Sequence, residues 1–119
     1  MFVKARRFFC PMKFTYNITF VTDSHQEQTV VDYLRQTAIP ALFNDASPAR
    51  NLELRKVVET GGEKPDPQQG SSIALAASFI TEAEAREWEQ SFLAPALCDF
   101  QNNFQNKAFF FVTLLENLL

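Results

Sequence analysis

The stretch Ala108-Phe109-Phe110-Phe111-Val112-Thr113-Leu114-Leu115-Glu116 decides how this chain reads. At a period of two, one face carries Ala108, Phe110, Val112 and Leu114, and the other carries Phe109, Phe111, Thr113 and Leu115. Both faces are apolar, which is the pattern of a strand covered on both sides. A strand of this kind at the end of a chain needs a sheet to join and something to lie over each face.

The other elements appear on working backwards. Residues 81–104 carry a helical stripe, Ala85, Trp88, Phe92, Leu93, Leu97, Phe100 and Phe104. Thr81 and Glu84 form a capping box at its start, and Pro95 is expected to kink or split it. Strands are predicted over 72–80, where Ile73, Leu75, Ala77 and Phe79 alternate with Ala74, Ala76 and Ser78, and over 51–60, where Leu52, Leu54 and Val58 share a parity. Between them, 61–71 is rich in Gly and Pro and reads as a long hairpin loop. An earlier helix carries Val30, Val31, Leu34 and Ala38. It starts at a Ser24–Glu27 capping box, with Asp23 as a competing cap, and kinks or ends near Ile39 because Pro40 follows. The first strand, 12–22, sets Phe14, Tyr16, Ile18 and Phe20 against Thr15, Asn17, Thr19 and Val21.

The order is β-α-β-β-α-β, which predicts an α+β ferredoxin-like sandwich: a four-stranded antiparallel sheet with two helices on one face. Its second face is left to water, a ligand or another subunit. Whichever parity of the last strand faces outward, large apolar side chains remain there, and such a patch usually marks an interface. The expectation is a homodimer packed sheet against sheet, a dimeric α-β barrel, with Phe109 and Phe111 as the interface candidates. The alternative is that the N-terminal extension or the 61–71 loop covers that face.

Composition supports one packed domain over 12–119. The chain has 119 residues, 46% hydrophobic, 21% charged and 13% aromatic, within the range of a self-sufficient core. Lys4, Arg6, Arg7 and Lys13 crowd the start, and the remainder is acidic. An acidic domain repels phosphate backbones, so no nucleic-acid partner is expected. The aromatic-bearing central strands of RNA-binding domains of this fold also have no match in Ala74, Ala76 and Ser78. Residues 1–11 read as a disordered extension, because the apolar run Phe8-Phe9-Cys10 is too short for an export signal. No stretch reaches the ~18 apolar residues of a membrane span. A cytoplasmic protein without a membrane partner is expected. Cys10 and Cys98 are too few for a disulfide framework or a four-cysteine zinc site, and Cys98 is read as a small core residue.

Chemistry is sparse. His25, the only histidine, sits at a helix start, where the helix dipole favours the neutral imidazole. With Tyr16, Asn17 and Trp88 it makes the candidate ligand-binding set. Glu82, Glu84, Glu87 and Glu89 read as a solvated face that suits a helix N-terminus. No catalytic constellation, metal set, P-loop or dinucleotide fingerprint is present, so no cofactor is expected.

Tyr16-Asn17-Ile18-Thr19, Asp23 with Ser24-His25, Ile39-Pro40, Phe104 and Phe111-Val112-Thr113-Leu114-Leu115-Glu116 follow one another in an order that resembles a family of small bacterial proteins of unknown function, common in Bacteroidetes. That family resembles the dimeric α-β barrel group of ferredoxin-like domains. The resemblance spans roughly 12–116 and implies a homodimer without an established reaction. Tyr33 stands where the family has a tryptophan, Ala38 where it often has a histidine, and Val112 where an arginine often follows the phenylalanine. Two functions follow from these readings. The first is a homodimeric structural or small-ligand-binding domain. The alternative is a cofactor-independent monooxygenase- or isomerase-like enzyme acting on a small organic compound, which needs a pocket that brings His25 to Asn17 or Tyr16.

Overall fold

In the computed structural model the described residues are 11–58 and 70–119. The extension expected over 1–11 falls outside them except for Pro11, as does Cys10. The loop expected over 61–71 also falls outside, except that Gly70 and Ser71 belong to a strand. The elements are β1 (Phe14–Asp23), β2 (Arg50–Lys56), β3 (Gly70–Phe79) and β4 (Ala108–Glu116). The first helix, α1 (27–42), runs through Glu27–Tyr33, a π-helical turn Leu34–Ala38 and Ile39–Leu42. The second, α2 (82–104), runs through Glu82–Trp88, a π-helical turn Glu89–Leu93 and Ala94–Phe104.

The sheet order is β2-β3-β1-β4, antiparallel throughout. This is the ferredoxin-like arrangement that the element order predicted. Tyr16, Ile18, Phe20 and Thr22 alternate inward along β1, and Ile73, Leu75, Ala77 and Phe79 along β3. Both strands are central, so their inner faces form the floor of the core. β2 is shorter than predicted and ends at Lys56. It carries a bulge between Arg50 and Glu53, where Asn51 takes a φ of 53°; asparagine tolerates this left-handed conformation better than most residues. Val58, expected to share a strand parity with Leu52 and Leu54, is exposed beyond the end of the strand.

Neither proline breaks its helix. Each follows directly on a widened turn, closed by Ile39 N–H donating to the Leu34 carbonyl and by Ala94 N–H donating to the Glu89 carbonyl. The wider turn accommodates Pro40 or Pro95, and the helix resumes with the proline in its first turn, where its missing N–H costs nothing. It also corrects the phase. Val30, Leu34, Ala38 and Leu42 are spaced by four and all buried, yet in an unbroken α-helix Leu42 would lie about 120° round from Val30. In α2 the inward line steps from Trp88 by five to Leu93, then runs through Leu97, Phe100 and Phe104. Cys98 lies one position off this line. It is exposed, not the core residue it was expected to be.

The helix starts differ from each other. Thr81 Oγ1 accepts from Glu84 N–H at 3.1 Å, while the Glu84 carboxylate turns back to Ile80 N–H at 3.3 Å. The Ser24–Glu27 box does not form. Instead Asp23 Oδ1 accepts from Gln26 N–H at 2.9 Å, which frees Glu27 to take Ser71 Oγ at 2.6 Å and Lys56 Nζ at 3.0 Å. These two partners hold the Glu27 carboxyl below its usual pKa, the serine hydroxyl contributing most. One side chain thus ties the start of α1 to β2 and β3.

Where β1 ends, Gly70 pairs with Asp23 so closely that a Cβ on Gly70 would stand 2.8 Å from the Thr22 carbonyl oxygen. Backbone cannot yield as a side chain can. Gly70→Ala is expected to destabilise the fold by about 1–3 kcal/mol, read as a lowered midpoint in urea denaturation.

Candidate functional site

The sheet offers two surfaces, and the pleat sorts the candidate residues between them. On the helix side, Tyr16 lies against Trp88 and Phe79, with ring centroids 5.8 and 6.1 Å away. Trp88, the single tryptophan, is fully buried, and its indole N–H donates to the Leu42 carbonyl at 3.0 Å. The Tyr16 hydroxyl donates to Glu89 Oε1, and Arg86 stands 3.8 Å from the same oxygen. Burial, and next the Glu89 carboxylate, push the Tyr16 hydroxyl up to about 12. These contacts fill space and satisfy polar atoms. They leave no opening for a ligand between the two rings.

Asn17 is on the opposite face of β1, where its Nδ2 donates to Thr19 Oγ1 at 3.3 Å. His25 is exposed in the turn between β1 and α1. The four residues expected to form a binding site therefore occupy three places: Tyr16 and Trp88 in the core, Asn17 on the open face, His25 at the surface. Among the described residues, grooves of about 230 and 240 Å³ lie elsewhere. One runs between α1 and β2 and is lined by Glu27, Arg35 and Lys56 among others; the second lies at the end of the sheet beside Asp23, Gly70 and Lys107. Neither includes any of the four. Among the described residues no group of three or more His, Cys, Asp or Glu is placed to hold a metal ion, and no helix is long and apolar enough to cross a membrane.

The open face carries the feature that is hardest to reconcile with water. Register places Phe109 beside Val21, Phe111 beside Thr19, Thr113 beside Asn17 and Leu115 beside Thr15. Across β1, the small residues Ser72, Ala74, Ala76 and Ser78 continue the surface. Phe109 and Phe111 are 60% and 63% exposed and Leu115 is 46% exposed, whereas Ala108, Phe110 and Leu114 turn toward the core. The parity left open by the sequence is thus set by pairing with β1: residues of β4 opposite the small and polar parity of β1 face outward. The surface is asymmetric, with a ridge of phenylalanine and leucine along one edge and low ground of alanine and serine beside it. The charged pair Arg55–Glu53, 2.7 Å apart, borders the far side.

A four-stranded antiparallel sheet in the order β2-β3-β1-β4, roofed on one face by two helices, defines an α+β domain of the ferredoxin-like class. The chain belongs to the family described as Domain of unknown function (DUF4286), whose model matches residues 13–118. No curated protein matches it. Among solved structures, CPII from Thiomonas intermedia K12, bound to ADP, AMP and acetate, is similar over 90% of this chain and 91% of its own, at 13% identity and a TM-score of 0.43.

The Tyr16 hydroxyl gives a stability signature. An unfolded tyrosine titrates near 10, so the raised folded value contributes stability that is whole below about pH 10 and is lost as the pH rises through about 12. Tyr16→Phe is expected to remove on the order of 2 kcal/mol of that alkaline loss. Urea denaturation followed by Trp88 fluorescence across this window measures it. Tyr33, also raised by burial, leaves a residual slope in the variant.

Proposed function

We propose that this chain is a non-enzymatic assembly domain whose open sheet face receives a second copy of itself, forming a homodimer of the α-β barrel type. The observation that carries this is the outward ridge of Phe109, Phe111 and Leu115 on a face the helices do not cover. The surface has the right size. Four strands about 4.8 Å apart and about 30 Å long span roughly 570 Å² per copy, and both copies together approach the ~1,200 Å² at which stable interfaces begin. It also suits self-association. A two-fold axis lying in the interface and running across the strands sets the ridge of one copy against the ridge of the other, an isologous contact. Four partly exposed phenylalanines, two from each copy, supply on the order of 500 Å² of aromatic surface, or roughly 12 kcal/mol gross. Association costs about 4–15 kcal/mol, so the ridge is needed for the dimer to form.

The monooxygenase- or isomerase-like alternative needs His25 near Asn17 or Tyr16, and no convergence of these residues supports it. Size-exclusion chromatography with light scattering tests the assembly. The wild-type chain is expected at twice its monomer mass or more at micromolar concentration. Phe111→Asp is expected to halve the mass without changing the circular dichroism, since the residue it replaces is exposed. A wild-type monomer would overturn the proposal.

A further inference from the structure

The sheet ends in two edges, and the chain treats them differently. β2 carries the devices that discourage edge pairing: Arg50, Glu53, Arg55 and Lys56, a bulge, and a left-handed residue. β4 carries none of them. From Ala108 to Leu115 it has no charge, proline or glycine, and no bulge interrupts its pairing with β1 over nine residues. Sheet edges of this length and composition are templates for another strand.

Among the described residues, the ladder shows which groups have no partner. Asn117 N–H donates to the Lys13 carbonyl at 2.7 Å. Antiparallel strands alternate in the direction of their backbone groups, so Phe109, Phe111, Thr113 and Leu115 also point their N–H and C=O at β1. Ala108, Phe110, Val112, Leu114 and Glu116 point theirs away from the sheet. Val112 is the middle of these five. An antiparallel second β4 related by a two-fold axis through Val112 pairs all of them: Val112 with Val112, Phe110 with Leu114, Ala108 with Glu116.

The side chains accept this register. On the open face Phe109 meets Leu115 of the second copy, and Phe111 meets its Thr113. On the helix side Phe110 meets Leu114. The one acid, Glu116, falls opposite alanine and not opposite a second acid. Antiparallel pairs of these types are favourable.

We infer that the outer edge of β4 is a second self-association site, where another copy of this chain adds its own β4 to make a continuous eight-stranded sheet. The occupant is identified by the self-complementarity of register and charge. The contact is a backbone ladder along the edge and not a stacking on the open face, so it stands apart from the face-to-face dimer and joins two such dimers into a tetramer.

Val112 lies on the proposed axis and is 38% exposed, so a charge is tolerated there in a single copy and repeated at its mate. Val112→Lys and Val112→Glu are each expected to reduce the tetramer to a dimer, and mixing the two variants is expected to restore it. Lost packing alone would not be rescued by mixing. Amide exchange provides a second readout: the N–H groups of Phe110, Val112 and Leu114 are expected to exchange at least about a hundredfold more slowly in the wild-type assembly than in Val112→Lys.

Phe111→Asp removes the face contact but leaves the edge ladder, where its neighbour is the hydroxyl-bearing Thr113 of the second copy, and is expected to leave an edge-paired dimer. Fast exchange at these three amides in a wild-type oligomer would overturn the edge site while leaving the face dimer standing. A wild-type oligomer whose Phe111→Asp variant is monomeric would do the same. Slow exchange in a monomer that becomes fast on deleting residues 1–10 would also overturn it, by assigning the edge to the chain's own N-terminal segment.

Discussion

One tryptophan holds the two halves of this fold together. Trp88 enters from α2, lies against Tyr16 of β1 and Phe79 of β3, and donates its indole hydrogen to the carbonyl of Leu42 at the end of α1. Sheet, first helix and second helix therefore meet at a single side chain. A buried indole nitrogen without an acceptor would cost about 1–3 kcal/mol, so the end of α1 must come to this ring and to no other place. Around the junction the core continues through Phe20, Tyr33, Phe100 and Phe104, whose rings are in contact. The helices are thus positioned over the sheet mainly by aromatic packing, and the opposite face receives none of it.

Much of the fold could be read from residue order. Strict alternation in 14–20 and 73–79 marked both central strands and divided each into a bulkier and a smaller parity, because a half-covered strand sorts its side chains by size and polarity. The Thr81–Glu84 cap was legible because both partners lie within four residues of each other. The Ser24–Glu27 box satisfied the same spacing rule and did not form. Glu27 has partners 29 and 44 residues away, Lys56 and Ser71, and tertiary partners of that kind leave no local trace. The prolines misled for a related reason. The rule that proline ends a helix assumes regular α-turns, whereas both helices widen just before it.

The candidate site was legible in kind and not in place. That the last strand carried surplus apolar surface followed from two apolar parities. Which parity faced outward did not, because it depends on pairing with β1. Among His25, Tyr16, Asn17 and Trp88, sequence could say that each was chemically able to touch a ligand. It could not say that the pleat puts Tyr16 and Asn17 on opposite sides of one sheet, although neighbouring positions in a strand always diverge in this way. Applied to that pair, the rule would have separated them from the start. The edge of β4 left a similar trace: eight consecutive residues without charge, beside a β2 in which four of seven are charged.

The widened turns before Pro40 and Pro95 make each helix a device that counts residues. Every inward side chain beyond the turn keeps its bearing only because one extra residue has been spooled into the coil. Removing a single residue from either turn would swing the remainder of that helix by about 100°, carrying Leu42 away from the indole in one case and Phe100 away from Phe20 in the other. Helix length in this domain is therefore held to single-residue tolerance at two equivalent places, one in each half of the chain.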